Sequence, residues 1–179
     1  ERTLDGAVDV FRGTPGRVRA RLEVPEAMRT YRLDEIAVVF ENIGDSDVAA
    51  PLLGVEINQG ILHPTRGNSR RHQFLGVSQD GPAGVLRPGA GGRKVIPLAS
   101  ENAIGAISVA LHGSGIGSDS HVIDWDAQKA AMRPAIVPPD AWNVIFAQFV
   151  SQVGSTFGSL AAVLAADASY LSRMGVVVD

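Results

Sequence analysis

The sequence predicts a mainly β chain with α: a β half over residues 1–113, a Gly/Ser linker over 114–123 and a helical segment over 124–179. Three observations carry that reading. Short runs of alternating apolar and polar residues, set between Gly and Pro turns, fill the first two thirds. The apolar period then changes near residue 120 from two residues to the three-to-four of a helix. At the change stands Gly113-Ser114-Gly115-Ile116-Gly117-Ser118, a composition expected of a flexible connector.

Val18, Ala20, Leu22 and Val24 alternate with Arg17, Arg19, Arg21 and Glu23, as in a half-buried strand with one charged face, and Pro25 ends it. Tyr31 to Phe40 follows, and Ala37-Val38-Val39-Phe40 predicts burial on both faces. Asn42 to Asp47 reads as a turn. Leu52 to Ile57 is a third strand, opened by Pro51 where a missing N–H breaks no ladder. Residues 58–72 are expected to form one long polar loop carrying His63, Arg66, Arg70, Arg71 and His72. Phe74–Val77 is then a short strand, Leu86-Arg87-Pro88-Gly89 a turn that Gly89-Ala90-Gly91-Gly92 keeps flexible, and Val95–Leu98 and Ile104–His112 the last strands.

In the helical segment Asp126 is expected to cap a short helix over Ala127–Met132, stopped by Arg133-Pro134. Pro139 or Asp140 opens a second, on which Trp142, Ile145, Phe146, Phe149, Val150 and Val153 fall on one stripe and which Gly154 ends. Ser155 is expected to cap a third, Phe157 to Met174, with Leu160, Val163, Leu164, Tyr170, Leu171 and Met174 as its apolar stripe and Gly175 as the residue after its end. Stripes this apolar need cover, from each other, from a sheet or from a neighbouring domain.

Composition narrows the function classes. Apolar residues make up 45% of the 179-residue chain, enough for a packed core, and a net charge of −3 offers no general attraction to nucleic acid or anionic membrane. Cysteine is absent, which removes disulfides, zinc-thiolate sites and thiol catalysis. The longest apolar stretch, near Leu160–Ala166, falls far short of the ~20 residues that span a bilayer; no membrane insertion is expected. The chain begins at Glu1 with no signal-like segment, the pattern of an excised or processed piece.

No motif presents catalysis. Asp45/Asp47 and Asp124/Asp126 are carboxylate pairs without the D-x-D-x-D-G frame of a calcium loop, and turn and cap roles suffice for them. His63, His72, His112 and His121 lack metal-ligand spacing; His63 and His72 share a loop and could hold a metal between them, or simply be solvated. Gly113-Ser114-Gly115 lacks the G-x-S-x-G frame, and the Gly-rich runs lack the G-K-[ST] ending of a phosphate cradle. Arg66, Arg70 and Arg71 could meet an acidic partner, and Trp125 a sugar ring, whereas Trp142 sits on the apolar stripe. No cofactor is expected.

The stretch Ile36 to Val48, an apolar strand followed by Asn42-Ile43-Gly44 and a small polar turn, resembles bacterial cell-adhesion-related immunoglobulin-like domains. Leu86-Arg87-Pro88-Gly89 followed by Val95–Leu98 resembles their L-x-P-G step. The segment from Ile123-Asp124-Trp125-Asp126 through Gly175 is similar to stretches that follow such domains in very large modular proteins. The resemblance covers roughly residues 17–112 and implies an immunoglobulin-like antiparallel β-sandwich, no catalytic residues, and a place in a large extracellular or cell-surface protein of bacteria. The expected function is a non-catalytic structural or adhesion module. Its partners would be neighbouring domains of the parent chain and a glycan or protein receptor. The alternative is a carbohydrate-binding module whose contact surface is Trp125 with Arg66, Arg70, Arg71 and His72 of the 58–72 loop. A third reading is an enzyme fragment completed by a neighbouring domain.

Overall fold

A computed structural model describes residues 13–29, 32–63, 69–100 and 105–177. Within them the chain is mainly β with α: nine strands in antiparallel sheets, then three helices. The strands are β1 (Val18–Glu23), β2 (Leu33–Asn42), β3 (Val48–Ala49), β4 (Leu52–Ile57), β5 (Ile61–Leu62), β6 (Arg71–Leu75), β7 (Val85–Leu86), β8 (Gly91–Ala99) and β9 (Val109–Gly113). They form a four-stranded sheet in the order β1-β2-β8-β5, a three-stranded sheet β6-β4-β9, and the short pair β3-β7.

The period of two decides which side chains meet. Ile36, Val38 and Phe40 of β2 and Ile96 and Leu98 of β8 come from the first sheet, and Leu53, Val55 and Ile57 of β4 from the second; with Leu62 and Leu86 they form one buried cluster. Burying a large aliphatic side chain contributes about 1.5–3 kcal/mol, so this cluster is the main source of stability. As expected for β2, Ala37 and Val38 on its two faces are both buried.

Residues 58–72 are not one long loop. Ile61 and Leu62 pair with Ala99 and Leu98 at the edge of the first sheet, and Leu62 bridges to Ser69. The chain then enters β6 at Arg71, earlier than the expected Phe74. Two apolar residues in a polar context are a weak strand signal; burial of Leu62 between the sheets decides it. Gly91 and Gly92, expected to be flexible, pair with Glu41 and Phe40. Tyr31 and Ile104 lie outside the described residues.

The 114–123 segment is an ordered turn. Ser114 is buried and its Oγ accepts the Leu52 N–H at 2.9 Å, the Ser118 Oγ accepts the Gly113 N–H at 3.2 Å, and the Asp119 carboxylate accepts the Gly115 N–H at 3.0 Å. Small polar side chains that solvate a free linker can equally close a tight turn.

The helices are α1 (Trp125–Met132), α2 (Pro139–Val153) and α3 (Phe157–Arg173). The cap of α1 is Asp124, which accepts the Ala127 N–H, so Asp126 falls in the first turn instead. Pro139 opens α2 and Gly154 (φ +86°) closes it, as expected. Thr156, not Ser155, caps α3, in a reciprocal box with Ser159. At its far end Val176 N–H reaches Leu171 O at 3.0 Å and Gly175 N–H reaches Ser172 O at 3.1 Å, a Schellman closure.

Candidate functional site

Trp125 sits at the start of α1 and is half-buried. Its indole N–H donates to the Gly154 carbonyl at 2.9 Å, and its ring stands edge-on to Phe146 and Phe149, centroids 6.1 and 5.5 Å away. Trp142 donates its indole N–H to the Lys129 carbonyl at 2.8 Å and lies 5.4 Å from Phe146. The two tryptophans thus bind α1 to α2. Each indole satisfies its one polar group within the joint, which places Trp125 in a packed cluster rather than on an open stacking platform.

The residues expected to share a loop surface are divided. Arg66 lies outside the described residues. Arg70 is exposed, and its carbonyl accepts the Ile57 N–H at 2.9 Å. Arg71 and His72 are consecutive on β6, so their side chains leave opposite faces. Arg71 turns to the outer face and pairs with Glu56 at 2.9 Å, an exposed contact of small energetic weight. His72 turns toward the first sheet and stacks on Phe74, centroids 5.8 Å apart and planes 21° apart.

The acidic pairs have structural employment: Asp45 accepts the Thr14 N–H at 2.7 Å, and Asp124 caps α1. Among the described residues no group of three His, Asp or Glu could hold a metal ion, and no helix is long and apolar enough to cross a membrane.

What the structure builds instead is a joint between α3 and the three-stranded sheet. The outer face of β4 presents Leu52 and Gly54, because Leu53 and Val55 point into the core. Leu52 packs with Phe157, Ala161 and Leu160. Gly54 leaves room for the His112 imidazole from β9; a Cβ at Gly54 would overlap that ring, which lies 6.0 Å edge-on from Phe157. At the start of α3, Phe157 N–H donates to His121 O at 2.8 Å and Gly158 N–H to Asp119 O at 3.0 Å.

Further along, the helix meets the Ala83-Gly84 turn. Ser169 Oγ donates to Ala83 O at 2.9 Å, and Ser172 Oγ accepts the Ala83 N–H at 3.4 Å. Gly84 has φ +86°, and a Cβ there would overlap the Ala165 carbonyl oxygen and Ser169 Oγ. No family of known proteins accounts for this joint: no family model matches the chain, and neither does any curated protein or solved structure.

The buried face of α3 is therefore Phe157, Ala161, Ala165 and Ala168, rotated from the expected stripe of large residues. Leu164, Leu171 and Met174 of that stripe are exposed. The signal was present as alanine at i, i+4, i+7 beside Ser169, but small residues carry little hydrophobic weight and are read as filler. Their size matters only when a backbone approaches closely, and Gly84 supplies that backbone.

Two grooves flank the joint. One of about 500 Å3 runs between β6 and α3, lined by Leu75, Leu160, Leu164 and Leu171. The other, about 730 Å3, runs from Phe40, Phe74 and Lys94 to the 77–83 turn and the end of α3 at Ser172 and Val176.

Burial lowers the pKa of His112, against a smaller opposing pull from Glu56, with Arg71 and His121 adding to the drop. Burial and then Lys94 lower that of His72. The unfolded chain binds protons at these sites more readily, so stability is full above the ordinary value of 6.5 and is lost as pH falls through the folded values. The melting temperature is expected to fall between pH 7.5 and pH 5. The double variant His72→Gln/His112→Gln should flatten that slope, read by thermal melts across pH; an unchanged slope would place the acid sensitivity elsewhere.

Proposed function

We propose that this chain is a non-catalytic structural and adhesion module of a large bacterial extracellular or surface protein, an immunoglobulin-like sandwich with α1–α3 as a rigid connector to neighbouring domains. The observation that carries the reading is the seating of α3 on the Ala83-Gly84 turn, which leaves no room for a methyl group. Contact between two backbones at that range transmits orientation, since neither side has a flexible chain to absorb a shift. The shared core of the sheets β1-β2-β8-β5 and β6-β4-β9 supports the sandwich, because two layers packed face to face bury one common cluster. Extracellular placement rests on the Asn42-Ile43-Gly44 resemblance, with the cysteine-free, Arg-rich composition as its background.

A rigid connector unfolds with the body it is attached to. Far-UV circular dichroism at the helical minimum and tryptophan fluorescence from Trp125 and Trp142 report on the helices, and amide exchange in β2 and β8 reports on the sheets. One transition common to all three is the expected result. Loss of the helical signal well before the sheet amides open would sink the connector reading. A glycan array run on the same material tests the receptor side: binding abolished by Trp125→Ala would favour the carbohydrate-binding alternative.

A further inference from the structure

We infer that the free edge of β6 accepts an extended strand from another polypeptide, one with apolar residues at every second position and a carboxylate that reaches Lys94. This rests on the reading above of a binding-capable module and names the kind of partner it takes.

β6 pairs on one side only, with β4, and ends its sheet. The bonds Gly76 N–H to Pro51 O, at 2.7 Å, and Ile57 N–H to Arg70 O, at 2.9 Å, fix the phase of that ladder. Alternation then turns the main-chain groups of His72 and Phe74 toward β4 and those of Arg71, Gln73 and Leu75 away from it. Of these, Arg71 N–H is taken by Ser69 Oγ at 3.1 Å and Leu75 C=O by Val77 N–H at 2.9 Å. Gln73 N–H and C=O, Leu75 N–H and Arg71 C=O have no partner among the described residues. A helix has no main-chain groups to offer such a row; an extended strand offers them at the matching two-residue interval.

The surroundings suit the same occupant. Strand residues point alternately to the two faces of a sheet, and two grooves open beside this edge. On the α3 side the groove presents Leu160, Leu164 and Leu171. The other groove presents Phe40, Phe74 and Lys94, with the 77–83 turn and the end of α3 completing its lining. Phe74 and Leu75 line both, so the grooves meet along the edge itself. Arg93 is paired with Glu23, whereas Lys94 makes no ion pair among the described residues. That charge selects an acidic residue in the incoming strand and disfavours a second copy, since β6 itself carries Arg71 and no carboxylate.

The test is selection of peptides of about ten residues from a random displayed library on the full chain, followed by affinity measurement on two variants. Gln73→Pro removes the outward N–H while leaving the bonds to β4, a substitution edge strands tolerate. Leu164→Arg fills the α3-side groove from an exposed helix position. Selected peptides should alternate apolar residues, carry Asp or Glu, and lose at least tenfold in affinity on both variants, each of which keeps the wild-type melt. Peptides with helical i, i+3, i+4 spacing, affinity unmoved by Gln73→Pro, or no enrichment over an empty matrix would overturn the inference. A dimer abolished by Gln73→Pro would overturn it too, by giving the edge to a second copy. A null selection on a chain with one common melt removes this inference alone; split melting removes the connector reading.

Discussion

Replacing Gly84 by valine is expected to unseat α3 and lower stability by roughly 2–6 kcal/mol, the sum of two separable costs. The first is the backbone: φ is +86°, and a β-branched residue held in that region costs about 1–3 kcal/mol. The second is steric, because the new Cβ would overlap the Ala165 carbonyl oxygen and Ser169 Oγ, and overpacking a close contact costs about 1–3 kcal/mol. Gly89 separates them. It has φ +73° with nothing within 4 Å of an added Cβ, so Gly89→Ala should show the backbone cost alone, while Gly84→Ala shows both. Denaturant melts of the two alanine variants give the difference directly. In Gly84→Val the helical signal should also part from the sheet signal, because the helices own a far smaller buried cluster than the strands do. Equal losses for the two alanine variants would mean that the joint yields, and that α3 does not depend on close approach.

Asn42→Asp is expected to cost about 2–5 kcal/mol at pH 7, with partial recovery in acid. The Asn42 carboxamide is buried and fully used: its nitrogen donates to Ser46 O at 2.8 Å and Leu86 O at 3.0 Å, and its oxygen accepts the N–H of Arg17 at 3.1 Å and of Gly44 at 3.0 Å. One side chain therefore ties the end of β2, the approach to β1 and β7 together. An aspartate keeps the two acceptor contacts and turns a carboxylate oxygen toward two carbonyl oxygens. Each buried group left unsatisfied costs about 1–3 kcal/mol, more when it carries charge. Burial raises the pKa of the new carboxyl, so the loss is smallest below the unfolded value of about 3.9 and grows as pH rises from there through the raised folded value. Chemical denaturation at pH 7 and pH 4 reads both parts. A loss below about 0.5 kcal/mol at pH 7 would show that water has taken over the two carbonyls.

Asn42 also shows how much of the site was legible. The Asn42-Ile43-Gly44 signature stood out as a pattern, but its reason is the Leu86 carbonyl, 44 residues away. Asp124 and Thr156 show a smaller version of the same limit. A helix start was evident at both places, and the capping residue differed by two positions and by one, because the side chain that reaches the N–H of the first turn depends on the direction of chain entry.

Local chemistry determined a good deal about this protein. The strands at β1, β2, β4 and β9, the three helices, and the Pro139, Gly154 and Gly175 boundaries follow from consecutive residues, and they hold in the structure. Tertiary structure alone decided three matters. Strand assignment split Arg71 from His72 and drew Ile61-Leu62 out of a loop, because a buried position beside β8 outweighs weak local propensity. Packing placed Trp125 against Phe146 and Phe149, where its indole N–H finds Gly154. The face of α3 was settled by backbone contact: Gly84 admits alanine and serine where leucine would not fit, so close approach prevailed over the larger hydrophobic stripe.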